Sequence, residues 1–277
     1  AALERVEKIP SSVNRHERFA AHMLHAQIMI EHEFLTDAER DLELALAIQP
    51  SHLPAQQAKA RILMARKNWS AALKILTPLR KKHPQQTMLH LMEATCQEHI
   101  GDTEQTRTLL LHIRETLPDN LAIAIRLSNF HQAQGNLQEA IHLLETFVEA
   151  HPDNSIAINN LVYLLADQGQ DLDHAQRLAQ QLMEAHPNNP LFADTIGWVH
   201  IQRKAFNEAI PPLEMALRGV PHNPVVLYHL ALAYHGSGRE DQARTCLERS
   251  INLGVAYKEL EQAKALLRHL QGSSPQP

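Results

Sequence analysis

The stretch PLFADTIGWVHIQRKAFNEAIPPLEMALRGVPHN, residues 190–223, determines the fold, because the chain repeats its pattern at a fixed spacing. It reads as a first helical segment, a short polar turn and a second helical segment that ends near Pro221. Prolines recur along the chain at steps of 34, 34, 34, 35 and 34 residues: Pro50, Pro84, Pro118, Pro152, Pro187 and Pro221. Because proline cannot continue a helix, each of them predicts the end of one repeat.

Two further series run in phase with the prolines. A small residue lies twelve positions before each proline position: Ala38, Ala72, Thr106, Ala140, Ala175, Ala209 and Ala243. A leucine follows four positions later, on the same helical face, in most repeats: Leu42, Leu76, Leu110, Leu144, Leu213 and Leu247. The pattern predicts paired helices in close contact, and the extra residue of the 35-residue step is expected in the loop at residues 168–173.

The pattern resembles the tetratricopeptide repeat over residues 19–254. This resemblance implies an all-α, right-handed superhelical solenoid of about seven helix–turn–helix repeats. The repeats are predicted near residues 19–52, 53–86, 87–120, 121–154, 155–189, 190–223 and 224–254. The flanking segments are interpreted as a partial upstream repeat or linker (1–18), a capping helix (255–271) and a disordered tail (272–277). Because the chain starts at Ala1, we expect a piece of a longer protein that continues upstream.

Composition and charge favour a helical protein without catalytic chemistry. Apolar residues make up 44% of the chain and aromatic residues 4%. The net charge of −5 argues against nucleic acid as a partner, and no apolar run is long enough for membrane insertion of this segment. Glycine-rich phosphate loops and nucleophile-elbow serines are absent from the sequence, so neither an enzyme nor a cofactor is predicted.

Cysteines and histidines receive structural interpretations. Cys96 and Cys246 are 150 residues apart, too far to meet in a solenoid, so unpaired thiols are predicted. Four histidines fall near one another at the start of the chain: His16, His22, His25 and His32. Their spacing matches no compact structural metal site, so no metal is predicted. Three others directly precede a repeat-ending proline and are interpreted as helix C-terminal caps: His83, His151 and His186.

The resemblance also implies a binding surface, because in this family first helices line a concave groove. The outward positions of these helices in the C-terminal half are Asn129, Gln132, Asn159, Tyr163, Asp194, Trp198, Gln202, Tyr228 and His235. Nearer the N-terminus they are Gln57, Arg61 and Met64. Tyr163, Trp198 and Tyr228 would form an aromatic ladder that binds an extended peptide, with a solvent-accessible Trp198. In the alternative interpretation, these rings only pack between neighbouring helices.

The subtype and the setting of the protein are expectations from resemblance. Asn129 and Asn159 match part of the carboxylate clamp of chaperone-binding repeats, but the clamp lysines are missing. Residues 155–250 resemble bacterial repeat proteins that accompany exopolysaccharide and exosortase-type sorting systems. That likeness implies a protein–protein interaction scaffold in envelope assembly, periplasmic or membrane-associated, whose partner is a protein or peptide. Two alternatives stay open: a cytoplasmic adaptor, and a self-assembling homo-oligomer.

Overall fold

The computed structural model describes residues 14–272, and this range consists of α-helices joined by short loops, with no strand. The helices are α1 (Arg15–Glu31), α2 (Leu35–Ile48), α3 (Leu53–Ala65), α4 (Trp69–Lys82), α5 (Thr87–Ile100), α6 (Thr103–Thr116), α7 (Leu121–Ala133), α8 (Leu137–Ala150), α9 (Ser155–Asp167), α10 (Leu172–Ala185), α11 (Pro190–Gln202), α12 (Phe206–Gly219), α13 (Pro224–Gly236), α14 (Glu240–Asn252) and α15 (Leu260–Gly272). The chain divides into two compact units, residues 1–123 and 124–277.

The predicted helix pairs are present, and the repeat signals lie where the pairs need them. Each repeat-ending proline directly follows the C-terminal cap residue of a second helix. These cap residues are Gln49, His83, Leu117, His151, His186 and Val220. The small residues that precede the prolines are all 0% exposed: Ala38, Ala72, Thr106, Ala140, Ala175, Ala209 and Ala243. Their small side chains therefore allow the close approach of paired helices that the sequence predicts.

The extra residue of the fifth repeat lies in its predicted loop. Residues 168–171 connect α9 to α10, whereas three residues connect α7 to α8 and α11 to α12. Asp171 takes up the added length in the left-handed conformation, at φ 36° and ψ 54°. Its side chain accepts a hydrogen bond from the backbone N–H of His174, which caps α10.

Gly197 shows how tightly a pair is packed. A Cβ atom added at Gly197 would lie 2.4 Å from Cγ of Leu213, which is itself 0% exposed. Leu213 lies on α12, the second helix of the same repeat, so glycine is required here for packing and not for backbone freedom.

The ends of the described range differ from the sequence-based bounds. Helix α1 begins at Arg15, because the side chain of Asn14 caps the N–H of Glu17 at 2.9 Å, so residues 15–18 are not a linker. Helix α15 begins at Leu260, since Gly254 turns the chain at φ 68° and residues 255–259 are not helical. Gly272 belongs to α15 and not to a tail. The rest of the predicted upstream repeat and of the tail lies outside the described residues.

Burial determines the chemistry of the two cysteines. Cys96 and Cys246 are both free and buried. Burial, together with the charge of Glu93, raises the pKa of Cys96 to about 11.

No helix within residues 14–272 combines the length and the apolar character that crossing a membrane requires.

Candidate binding face of the last three repeats

The first helices of the last three repeats, α9, α11 and α13, form one layer, which we call the first-helix face. Helix α11 packs against both α9 and α13. Each helix begins at an asparagine whose side-chain oxygen accepts a backbone N–H of the first turn: Asn154, Asn189 and Asn223. Pro190 and Pro224 occupy first-turn positions of their helices, where a missing N–H costs nothing. These start signals fix the register of the three helices.

Aromatic rings form a stack across the first-helix face. The rings of Tyr163 and Trp198 have centroids 6.2 Å apart with an interplanar angle of 20°. Trp198 also stacks on His229, at 4.4 Å and 23°. Tyr228 lies 6.1 Å from His229, with the rings tilted by 46°. The structure thus brings Tyr163 and Trp198 together as predicted, whereas Tyr228 joins the stack through His229, which the sequence reasoning missed.

The stack is less accessible than the sequence suggested. Trp198 and Tyr228 are each only 7% exposed, and Tyr163 is half-buried. The expectation of a solvent-accessible Trp198 is therefore wrong, because its two faces are covered by Tyr163 and His229. Packing between neighbouring helices, the alternative interpretation, describes this ring in the present conformation. A role for the stack in partner binding stays a prediction.

Buried polar groups surround the stack. His229, 0% exposed, shares a hydrogen bond of 2.9 Å between Nδ1 and Oδ1 of Asp194. Three atoms of this face are buried without a hydrogen-bond partner among the described residues: Oδ1 of Asn159, Nε1 of Trp198 and Nε2 of His229. Asn159 and Asp194 are 6% and 9% exposed. Because unpaired buried polar groups are costly and uncommon, this cluster marks the face as a candidate functional site.

The segment between α14 and α15, residues 254–259, lies over part of this face, and we call it the strap. The ring of Tyr257 is 6.4 Å from that of Tyr228 on α13. Nζ of Lys258 is 3.1 Å from Oδ2 of Asp167, the last residue of α9. The hydroxyl of Tyr257 lies 2.7 Å from Oγ of the buried Ser250, which anchors the strap to α14. The strap therefore contacts helices on both sides of α11.

Burial and nearby carboxylates raise the pKa of two tyrosines on this face. Burial raises the pKa of Tyr163, and Glu259, Asp167 and Asp194 raise it further. Burial also raises the pKa of Tyr228, again with a contribution from Glu259. Both phenols therefore stay protonated and remain hydrogen-bond donors over the physiological range. Glu259 of the strap acts on both rings, although these belong to helices on opposite sides of α11.

The other predicted binding residues lie outside the aromatic stack. Asn129 is exposed, and its Oδ1 accepts a hydrogen bond of 3.3 Å from half-buried Gln132. Gln202 is half-buried on α11, and Nδ1 of His235 lies 2.9 Å from Glu240. In the first unit, Arg61 is exposed and Gln57 and Met64 are half-buried. The buried residues of the prediction converge on one face, whereas these do not join the stack.

The N-terminal histidines pair with a carboxylate that the sequence reasoning did not identify. Nδ1 of His22 lies 2.7 Å from Asp41, and Nδ1 of His25 is in direct contact with the other carboxylate oxygen. Asp41 is buried on α2 at 7% exposure. Within residues 14–272, no group of three or more potential ligands could hold a metal ion. The two contacts join α1 to α2.

Comparison with known proteins agrees with the repeat pattern. The model of the tetratricopeptide repeat family matches residues 30–96, 99–165, 131–198 and 200–267, which make up most of the chain. A TPR repeat-containing protein of Pseudomonas aeruginosa is 26% identical over 198 residues, or 69% of this chain and 33% of that protein. The chain thus spans about a third of the length of this curated relative.

Solved structures share the fold. A tetratricopeptide repeat protein from Parabacteroides merdae covers 91% of this chain and 98% of its own at 14% identity, with a TM-score of 0.72. Yeast Tom70 covers 98% of this chain and 57% of its own at 16% identity, with a TM-score of 0.61. The matched chain of the Cut9–Hcn1 hetero-tetramer covers 98% of this chain and 53% of its own at 18% identity, with a TM-score of 0.57. At these identities the likeness concerns the fold alone, and it confirms the predicted all-α repeat solenoid.

Proposed function

Because this chain belongs to the tetratricopeptide repeat family, we propose that it is a non-catalytic scaffold that binds an extended segment of a partner protein on the first-helix face. Proteins of this fold typically serve as protein-interaction scaffolds. The observation that carries the proposal is the stack of Tyr163, Trp198 and His229 beside polar atoms that lack partners.

The chemistry of the face suits a peptide main chain. Nε1 of Trp198 is a donor that a carbonyl oxygen can satisfy, and Oδ1 of Asn159 is an acceptor that an N–H can satisfy. An extended peptide presents both groups along its length, and aromatic rings give it apolar contact area at low entropic cost. An extended segment would therefore satisfy the buried polar atoms that the fold leaves unpaired.

A fold-level parallel supports a protein as the partner. One of the solved structures that share this fold is a hetero-tetramer of Cut9 and Hcn1, in which a repeat protein is associated with another chain. The likeness concerns the fold, so it bears on the class of partner and not on its identity.

Site-specific photocrosslinking tests the proposal. A photoreactive amino acid replaces either Gln202, half-buried on α11, or Gln180, exposed on the second helix α10, in the cells that naturally make this protein. We expect a discrete crosslinked partner from position 202 and much less from position 180, because only the first-helix face holds the partner. Equal crosslinking from both positions, or crosslinking from position 180 alone, would refute the assignment.

We place this scaffold in a bacterial envelope or exopolysaccharide-secretion complex, on the periplasmic side or associated with the membrane. The support is the resemblance of residues 155–250 to that bacterial subgroup, together with a relative in Pseudomonas aeruginosa. Fractionation of the cells, with detection of the chain in periplasm, membrane and cytosol, tests the placement. Recovery in the cytosol alone would favour the cytoplasmic adaptor.

A self-assembling scaffold predicts a different result. Sedimentation of the purified chain over a hundredfold range of concentration would then show a growing oligomer. A constant monomer mass over that range removes self-assembly as an alternative.

A further inference from the structure

We propose that the strap, residues 254–259, is a built-in occupant of the first-helix face that a partner must displace, and that the partner segment carries an aromatic residue followed by a lysine or arginine. This inference rests on the proposed function and adds to it the class of ligand and a gate.

From the positions of its two anchors, we infer that the strap passes across α11 near Trp198. Asp167 is the thirteenth residue of α9 and Tyr228 is the fifth residue of α13. A line between these two anchors crosses the intervening helix α11 at about its ninth residue, which is Trp198. Lys258 bonds the first anchor and Tyr257 packs on the second. The two contacts thus join the strap to helices on both sides of α11, beside the aromatic stack.

The closed strap covers this face without satisfying it. Asn159, Trp198 and His229 are each more than nine-tenths buried, yet each keeps one polar atom without a partner among the described residues. Three buried polar atoms without partners are uncommon in one region of a packed helical core. A segment that replaced the strap and bonded these atoms would therefore gain hydrogen bonds that the strap does not make.

The strap itself is held by few contacts. The side chain of Lys258 is 70% exposed, and Val255 is 54% exposed. Gly254 starts the strap in the left-handed conformation, at φ 68°. A partly solvated ion pair is weak. Opening requires the loss of the Lys258–Asp167 bond and of the ring contact between Tyr257 and Tyr228, and the hydrogen bond between Tyr257 and Ser250 must break if Tyr257 leaves the face.

The sequence of the strap indicates what the face recognises. Tyr257 supplies a ring to Tyr228, and Lys258 supplies a cation to Asp167, whose carboxylate is only 17% exposed. A partner that takes over both contacts needs the same order of residues, an aromatic followed by a cation. Asp167 also accepts a bond of 3.1 Å from the amide of Gln168, which holds the carboxylate in place for either cation.

Quenching of Trp198 fluorescence tests whether the strap opens. The full chain carries Trp69→Phe, so that Trp198 is the remaining tryptophan. Lys258→Glu is compared with Lys264→Glu, which reverses the charge of another surface lysine in an ion pair, with Glu261. We expect the acrylamide quenching constant of Trp198 to rise about threefold in Lys258→Glu and to stay unchanged in the control. Adding Asp167→Lys to Lys258→Glu should restore the low value.

A peptide in trans tests the recognition. The probe is a fluorescent peptide with the sequence of residues 254–260, GVAYKEL, measured by anisotropy against the full chain. It should bind Lys258→Glu about threefold or more tighter than the unchanged chain, because the competing strap is weakened. A peptide with glutamate in place of the lysine should lose this binding, and should recover it on the Asp167→Lys variant. Unaltered quenching in Lys258→Glu, or equal binding of both peptides, would overturn the inference.

The two proposals fail in distinguishable ways. If position 202 crosslinks a partner with the same yield in the unchanged chain and in Lys258→Glu, the face binds a partner but the strap is not a gate, and the inference is overturned. If the peptide binds the opened chain while position 202 captures nothing, the strap covers the face but no partner replaces it, and the proposed function fails.

Discussion

Replacing Trp198 with alanine removes the ring at the centre of the aromatic stack, and the structure sets the expected cost. The indole is 7% exposed and lies between Tyr163 and His229. Truncation of a buried tryptophan costs about 3–5 kcal/mol in free energy of unfolding. Part of this cost is offset, because the unpartnered Nε1–H disappears as well, and relief of one buried donor is worth about 1–3 kcal/mol. With the middle value of each range, the net destabilisation should be about 2 kcal/mol.

Thermal unfolding followed by circular dichroism measures this effect. For a unit of this size, spanning residues 124–277, 1 kcal/mol shifts the melting temperature by about 2–4 °C. Trp198→Ala should thus lower the transition of the second unit by about 4–8 °C. Trp198→Phe should cost less, since it keeps a ring in the stack and removes the unpartnered N–H.

The matched control is the other tryptophan. Trp69 is half-buried in the first unit, where it stacks on His99 at 4.0 Å. Trp69→Ala should leave the transition of the second unit in place. An unchanged melting temperature for Trp198→Ala would show that the ring lies in solvent, and the structural assignment of its environment would then be wrong.

Two further substitutions test the packing of single repeats. Gly197→Ala should lower stability by about 1–3 kcal/mol, because the new Cβ meets Leu213; Gly272→Ala, where nothing lies within 4 Å, should be nearly neutral in the same melt. Arg80→Ala should cost about 3 kcal/mol in urea denaturation, because Glu93, which is 1% exposed, loses its cation. Equal midpoints for either variant and the unchanged chain would contradict the corresponding contact.

The repeat architecture was predictable because its signals are local and repeated. Proline at the end of each second helix, and alanine at the closest contact between the paired helices, act within a single repeat. The histidines before the prolines were predicted as caps, and His83, His151 and His186 are indeed the C-terminal cap residues of α4, α8 and α10. Each such signal needs knowledge of only one turn of chain, so one sequence is enough to interpret it.

The site was only partly predictable, because it depends on contacts between repeats. The pairing of Tyr163 with Trp198 followed from equivalent positions in successive repeats. His229, the residue after Tyr228, is also part of the stack. The hydrogen bond that orients it is made with Asp194, which lies 35 positions earlier in the chain. The one available signal was that Tyr228 and Asp194 occupy equivalent positions on successive helices, which places the next residue, His229, beside both.

The burial of Trp198 could not be read from the pattern of a single repeat, because the two rings that cover it, Tyr163 and His229, belong to the neighbouring repeats. Outward positions of a first helix face solvent only where no other segment of the chain covers them, and the strap is such a segment. A tethered occupant competes at an effective concentration of about a millimolar, so a partner that binds only the open face must overcome that competition. Its apparent affinity falls in proportion to the open fraction of the face. Affinities measured on the unchanged chain would then understate the recognition by this face, and the Lys258→Glu variant would report it more directly.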